Sequence, residues 1–441
     1  MSTSTLPHAG QSATTEAGMR LLSGITGTHP AAGLPAHLGQ WGKLNLRQPG
    51  PTILRELEAS GLVGHGGAWF PVSTKWRSVV SGSRRRPVVV ANGAEGEPLS
   101  RKDAFLLTRA PHLVLDGLSV AAHVLRAHQA IAYVPGSRLD GVNAAIMERH
   151  ELGLDPVDIV AVEAPDRFLA GQESAVVNAL SRRAAIPSFV DLRSIRERGV
   201  AGRPTLVQNV ETLAHVALIA RFGADWFRSV GTSRSPGTIL LTVSGRWERP
   251  MILEGELGSP MRTVLALSRS DLDGFGGALL GGYGGGWVTM PTLYDLVLTE
   301  DSARQAGSSL GAGIASLLPR TVCPLSEMAD VVRYMEGQGA GQCGPCVHGL
   351  ASLADEMATL AFGSPRRGDH VERILALCTL VDGRGACRHP DGVARYVRSG
   401  LTVFAEEAKS HLRHGPCALT RTPDAITPNR RVSRYVEERH S

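Results

Sequence analysis

The stretch Val88-Val89-Val90-Ala91-Asn92-Gly93-Ala94-Glu95-Gly96-Glu97-Pro98 decides how this chain is read. A short, valine-rich apolar run bounded by a polar turn reads as a buried strand, and the turn stops it. Leu113 to Leu125 then reads as a helix and Ala130 to Val134 as a second short strand. Strand and helix keep alternating to about residue 220, which predicts an α/β domain with a largely parallel sheet. Open sheets of this kind bind ligands at the carboxyl ends of their strands. Asn92 offers both a donor and an acceptor, suited to a flavin or nucleobase edge, while Glu95 and Glu97 suit hydroxyl groups. The plain alternative is a solvated acidic turn.

Upstream, Thr52 to Leu62 carries Ile53, Leu54 and Leu57 at helical spacing and breaks at Gly61. The loop Gly64-His65-Gly66-Gly67-Ala68-Trp69-Phe70-Pro71 follows at once. Glycines let backbone N–H groups approach an anion, and Lys75 beyond them supplies a point charge for a phosphate. The loop lacks the G-x-G-x-x-G spacing and follows a helix, so it is not the Rossmann fingerprint. No Gly-Lys-Ser/Thr closes it as a Walker loop. It is a tight turn or a ligand cradle. Before it, residues 1–48 are rich in Ser, Thr, Ala, Gly and Pro and read as a disordered tail.

Downstream, the texture changes near Ser235. Thr238 to Val243 reads as a strand, and glycine-dense turns such as Gly281-Gly282-Tyr283-Gly284-Gly285-Gly286 suggest a small α+β unit. From Ser326 the pattern is helical: Leu350, Leu353, Met357 and Leu360 share one face, and Val371, Ile374, Leu375, Cys378 and Val381 line another. A basic tail begins near Arg413. The expected division is 1–48 tail, 49–234 α/β domain, 235–322 small α+β domain, 323–412 helical domain and 413–441 tail.

The composition excludes several classes. A length of 441 residues exceeds one ordinary core, and 43% hydrophobic with 20% charged residues is a globular balance. No apolar run approaches the roughly 18 residues of a spanning helix, so no membrane insertion is expected. The first twenty residues lack a basic start followed by an apolar core, which predicts a cytoplasmic chain. The net charge is +5, but the arginines are scattered without interleaved aromatics, so no nucleic-acid partner is expected.

Six cysteines in such a chain should be reduced thiols or metal ligands. Cys343-Gly344-Pro345-Cys346, with Cys387 some forty residues on, lies between predicted helices. That setting favours an iron–sulfur or zinc site over a disulfide oxidoreductase. Cys378 falls on a core stripe and reads as a packed thiol. Cys323 and Cys417 lie in loop and tail, and His348 and His389 each follow a cysteine by two residues as alternative ligands.

Together these pieces resemble the NADH- and FMN-binding F subunit of bacterial respiratory complex I, a family that extends to NAD-linked hydrogenases and formate dehydrogenases. Gly61 to Pro71 with Lys75-Trp76 is similar to the family's GLRGRGGAGFP…KW. Asn92 to Pro98 with Lys102-Asp103 and Pro111-His112-Leu113 resembles NADESEP…KD…PHL. Gly171-Gln172-Glu173-Ser174-Ala175 with Asn178 resembles GEETA…N, and Gly202-Arg203-Pro204-Thr205 to Asn209-Val210-Glu211-Thr212 resembles GKPT…NNVET. Ser235 to Ser244 looks like the start of the family's ubiquitin-like domain, and the cysteine region looks like its four-helix cluster domain.

The resemblance implies a Rossmann-like FMN/NADH domain, a ubiquitin-like β-grasp (SLBB-type) domain and a four-helix iron–sulfur bundle. It implies hydride transfer from NADH to FMN, then electron transfer through a [4Fe–4S] cluster to an iron–sulfur partner, a small [2Fe–2S] protein or a ferredoxin. Gly64, Gly66, Gly67 and Lys75 would hold the FMN phosphate side or the adjoining dinucleotide. Asn92, Glu95, Gly171, Gln172, Glu173, Asn209 and Thr212 would line the flavin. Phe70 would stack on adenine, Glu97 would bind NADH, and Cys343, Cys346 and Cys387 would hold the cluster. The chain departs from the pattern at Ala340, where the family has the first cluster cysteine, so the cluster is incomplete unless another ligand substitutes. It departs also at Trp69, Ser78, Ala94 and Gln172 and at Arg193–Arg198, so Trp69 is expected to crowd the adenine site. An alternative is an electron-transfer or partner-binding role in which NADH oxidation has been lost.

Overall fold

The computed structural model describes residues 12–13, 19–25, 33–80, 85–189, 192–245, 250–268, 272–365 and 369–420. Four parallel strands form the first sheet, in the order Ile159–Ala164, Gln129–Pro135, Val88–Asn92, Thr205–Asn209. The valine run is interior to it, and its side chains alternate between two cores. Val89 and Ala91 join the larger one with the helices Pro111–Val124 and Val210–Arg228, while Val88 and Val90 face a smaller one with Val176, Val177 and Ile195. A strand covered on both faces has no polar side, which is why the sequence shows an unbroken apolar run.

The two large helices cross backbone to backbone at Gly117, where a Cβ would fall 1.9 Å from the Leu213 carbonyl oxygen. Chain order reverses between Val88–Asn92 and Thr205–Asn209, and these strands end in register, Asn92 opposite Asn209. Such a reversal leaves a crevice beyond the carboxyl ends of the strands.

The second sheet is mixed. Thr238–Ser244 pairs antiparallel with Met251–Glu256 and parallel with Ile314–Pro319, and Phe275–Leu280 and Gly286–Val288 follow beyond. The helix Met261–Ala266 packs into its core. The last third is helical, with Pro324–Gly337, Leu350–Phe362, His370–Val381, His389–Val403 and Ala405–His414 around one apolar cluster. Among the described residues, no helix is long and apolar enough to cross a membrane.

Three expectations are corrected. Residues 1–48 are not wholly a tail: Leu34–Trp41 is a helix, and Leu21 and Leu22 are buried, with their N–H groups donating to the Glu254 carboxylate at 3.0 and 2.9 Å. Their partner lies more than two hundred residues away, so no local periodicity could announce them. Residues 1–11, 14–18 and 26–32 lie outside the described residues. At the other end, order continues past Arg413: the last helix runs to His414 and the Cys417 N–H donates to His411 Nε2 at 3.2 Å. The tail beyond Thr420 lies outside the described residues. Finally, Leu375 is exposed, whereas Ile374, Cys378 and Val381 form the buried stripe of that helix.

Candidate functional site

The glycine loop lies over the strand-order reversal. A Cβ on Gly66 would come within 3.2 Å of Asn209 Cβ, and one on Gly64 within 3.7 Å of Gln208 Nε2. Gly67 holds φ +100°, which side-chain-bearing residues rarely adopt. The turn after Val88–Asn92 is pressed onto a third loop in the same way. A Cβ on Gly96 would sit 2.4 Å from the Phe168 carbonyl oxygen, and one on Gly171 would sit 2.7 Å from that of Ala94. Asn92 ties these loops, its Nδ2 donating to the Gly171 carbonyl at 2.8 Å and its Oδ1 accepting from the Ala94 N–H at 3.2 Å. Gln172 follows as the residue preceding the helix Glu173–Leu180.

Lys75 and Glu173 meet across the crevice. The Lys75 ammonium donates to Glu173 Oε2 at 2.9 Å and to the Val207 carbonyl at 2.6 Å. Glu173 Oε1 is buried without a hydrogen-bond partner, and a carboxylate oxygen in that position wants a donor. Phe70, at the end of the glycine loop, has 41% of its surface exposed, and the Arg196 guanidinium lies over its ring at 5.3 Å. Trp69 turns the other way. Its indole N–H donates to the Gly311 carbonyl at 3.0 Å and its ring packs against the core of the second sheet. It therefore joins two units, and its position does not bear out crowding of the face that Phe70 presents.

Beneath the loop lies a buried polar network that fixes its height. Asn209 caps the helix Val210–Arg228, its Oδ1 accepting from the Glu211 and Thr212 N–H groups at 3.0 and 3.5 Å. Thr212 Oγ1 accepts from the His65 N–H at 2.9 Å, and the Glu211 carboxylate accepts from His65 Nδ1 at 2.9 Å and from the Leu240 N–H at 2.8 Å. Lys102 Nζ lies 2.7 Å from Asp103 and 2.8 Å from Glu211. Burial would push Glu211 upward, but Lys102 and then His65 outweigh it and hold the group at about 2. Burial wins at Asp103, which is raised to about 7 despite Lys102. His215, edge-on to His65, is pushed down to about 3 by burial and then by His65, so it is neutral.

The two glutamates of the turn serve different ends. Glu95 accepts from the Asp103 and Ala104 N–H groups at 3.0 and 2.9 Å, closing the start of the helix Lys102–Arg109. Glu97 accepts from the Leu99 N–H at 3.2 Å and from the Tyr283 N–H of the second unit at 2.8 Å. Burial raises its carboxyl to about 7. Sequence reading missed Lys102, Glu211 and His65 as one network; a charged Lys-Asp pair opening an apolar helix was the available signal.

The three cysteines converge. Cys346 is the second residue of a wide helical turn, Pro345–Gly349, before the helix Leu350–Phe362. Burial pushes all three thiols up, the charges of neighbouring cysteines raise Cys346 and Cys387 further, and the backbone N–H groups of Ala386, Gly341 and His389 pull Cys343, Cys346 and Cys387 down, so that only Cys343 ends below its ordinary value. A Cβ on Gly339 would sit 3.5 Å from Cys346 Sγ, so the segment carrying Ala340 passes beside this sulfur. N–H donors aimed at sulfurs are the setting in which proteins hold and tune iron–sulfur clusters. His348 is exposed. His389 is buried, its Nε2 lies 2.8 Å from the Met335 carbonyl oxygen, and its Nδ1 has no partner. These residues fit an iron–sulfur cluster held by three thiolates.

Residues 57–218 match the family model described as the Nuo51 FMN-binding domain, and residues 326–411 match that of the NADH-ubiquinone oxidoreductase-F iron-sulfur binding region. The F subunit of the Mycobacterium tuberculosis NADH-quinone oxidoreductase is 30% identical over 411 residues, covering 87% of this chain and 90% of that one. Its Escherichia coli counterpart is 28% identical over 394 residues, 86% and 88% of the two chains. A chain of the NAD+-reducing [NiFe]-hydrogenase, solved in the air-oxidized state, shares the fold with a TM-score of 0.79 at 24% identity, over 94% of this chain and 70% of that one. The chain belongs to the family of NADH-quinone oxidoreductase F subunits.

Proposed function

We propose that this chain takes electrons from NADH into FMN and passes them, through an iron–sulfur cluster, to an iron–sulfur partner in the cytoplasm, a small [2Fe–2S] protein or a ferredoxin. The observation that carries the reading is the glycine loop lying over the paired ends Asn92 and Asn209, with the unpartnered Glu173 Oε1 beside Lys75. Bound there, FMN supplies an acceptor that takes two electrons as a hydride and releases them singly.

The chain's own work is positioning. Gly64, Gly66 and Gly67 keep the loop free of side chains, so backbone N–H groups can approach a phosphate, and Lys75 adds its charge. Asn92, Gly171, Gln172, Glu173, Asn209 and Thr212 line the flavin, with Glu95 fixing the helix behind the turn. Phe70 offers a face to adenine, and Glu97 sits on the NADH side where the first two units meet. No side chain need act as general acid or base. Cys343, Cys346 and Cys387 hold the cluster in the helical unit, which we read as the four-helix cluster domain, and residues 235–322 we read as the ubiquitin-like (SLBB-type) domain.

One observation favours a second reading. Arg196 lies over the Phe70 ring, where it would compete with adenine for stacking, as in a protein that keeps FMN but has lost NADH oxidation. Cofactor analysis of anaerobically purified protein tests the binding site common to both. About one FMN per chain is expected, the cofactor supplying the redox chemistry. Gly66→Val, whose side chain would meet Asn209, should abolish it while the fold survives by circular dichroism. Full flavin content in that variant would refute the site.

A further inference from the structure

A second group of ligand-type side chains lies apart from the three cluster cysteines. Cys323 caps the start of the helix Pro324–Gly337 and is fully buried. Glu407 and His411 stand one turn apart on the last helix, Ala405–His414, and so share a face. Gly415, at φ +82°, turns the chain back and delivers Cys417 to the same place. The two sulfurs, one carboxylate oxygen and one imidazole nitrogen all lie within 4.8 Å of one another.

The distances suit one small ion. His411 Nε2 is 3.3 Å from Glu407 Oε1 and 3.7 Å from Cys323 Sγ. Zinc bonds of about 2.0–2.3 Å set the edges of a tetrahedron at roughly 3.3–3.8 Å. The imidazole is also oriented for ligation. Its Nδ1 lies 3.3 Å from the Leu360 carbonyl oxygen, one of the unpaired carbonyls that end the helix Leu350–Phe362, so the proton sits on Nδ1 and Nε2 presents its lone pair. Ligating histidines use this outer hydrogen bond to fix their tautomer. Nε2 accepts from the Cys417 N–H at 3.2 Å, a bond that an ion would replace. The other compact group, His65, Glu211 and His215, differs in one respect: the Lys102 ammonium already stands 2.8 Å from Glu211, in the place of a cation.

We propose that Cys323, Glu407, His411 and Cys417 form a structural zinc site that clamps the segment after the last helix to the start of the helical unit. Four protein ligands close the coordination sphere, and two thiolates with an imidazole and a carboxylate suit zinc over magnesium or calcium. The site is independent of the electron path.

Metal analysis of the full chain, expressed with zinc and purified under reducing, chelator-free conditions, tests this. About one zinc per chain is expected, as four protein ligands make a closed structural site. It should persist in Cys343→Ser and disappear in Cys417→Ser and His411→Gln, with iron content unchanged in the latter two. Zinc absent from the wild type, or zinc that follows Cys343 instead of Cys417, would overturn the proposal. If those variants fail to fold, alkylation of the wild type decides. Cys323 and Cys417 should resist iodoacetamide until a zinc chelator is added, and equal labelling before and after chelation, or a Cys323–Cys417 disulfide, would refute the site.

Discussion

Trp69 shows how one departure from the family pattern is accommodated. The family places glycine there, and the backbone still demands what glycine allows, with φ at +53°. A bulky L-residue in that region costs about 1–2 kcal/mol. The indole offsets this by donating to the Gly311 carbonyl, worth about 1 kcal/mol, and by burying ring surface against the second sheet, where a full burial is worth about 1.5–3 kcal/mol. Trp69→Gly should therefore lower the melting temperature while leaving the KM for NADH essentially unchanged. A several-fold fall in KM would mean that the indole crowds the adenine site after all. The spacing of the loop was enough to single out its glycines and Lys75, whereas the direction of Trp69 depends on Gly311, some 240 positions later.

At the scale of elements, the turn from Asn92 to Pro98 connects the first sheet to the second. Glu97 carries that connection through the Tyr283 N–H, and burial raises its carboxyl from 4.5 to about 7. In the folded protein it keeps its proton where the unfolded chain has lost it. Its contribution to stability is therefore complete below about pH 4.5 and declines as the pH rises through about 7. Glu97→Gln, neutral throughout, should flatten the fall in melting temperature across this window relative to the wild type. Parallel pH profiles for the two proteins would show that Glu97 is ionised in the folded state. The strands Val88–Asn92 and Gln129–Pro135 and the helix Pro111–Val124 were legible because each is set by local patterning, whereas Ile159–Ala164 and Thr205–Asn209 were covered only by the general alternation of strand and helix. The network of Lys102, Glu211 and His65 was not legible, since its members come from three separate segments. The ordered pair Leu21-Leu22 was hidden for the same reason, its partner Glu254 lying in the second sheet.

Across the whole molecule the two candidate cofactor sites fall in different units, and Phe168 reaches from one to the other. The Phe168 N–H donates to Gln338 Oε1 at 3.0 Å, and its ring lies 5.6 Å from that of His389. The loop that packs against the acidic turn thus also touches the cysteine-bearing unit, so the crevice and the cluster region are held in one frame. Motif spacing singled out both candidate sites in the sequence, whereas nothing in the spacing around Ala340 points to a fourth ligand, because that depends on which side chains the fold brings beside the three cysteines. On the function proposed here, electrons enter this chain from NADH at the crevice above Asn92 and Asn209. The most direct measurement is the visible spectrum of anaerobically purified protein before and after adding NADH. NADH should bleach the flavin band; a flavin band that dithionite bleaches and NADH leaves intact would contradict entry of electrons from NADH.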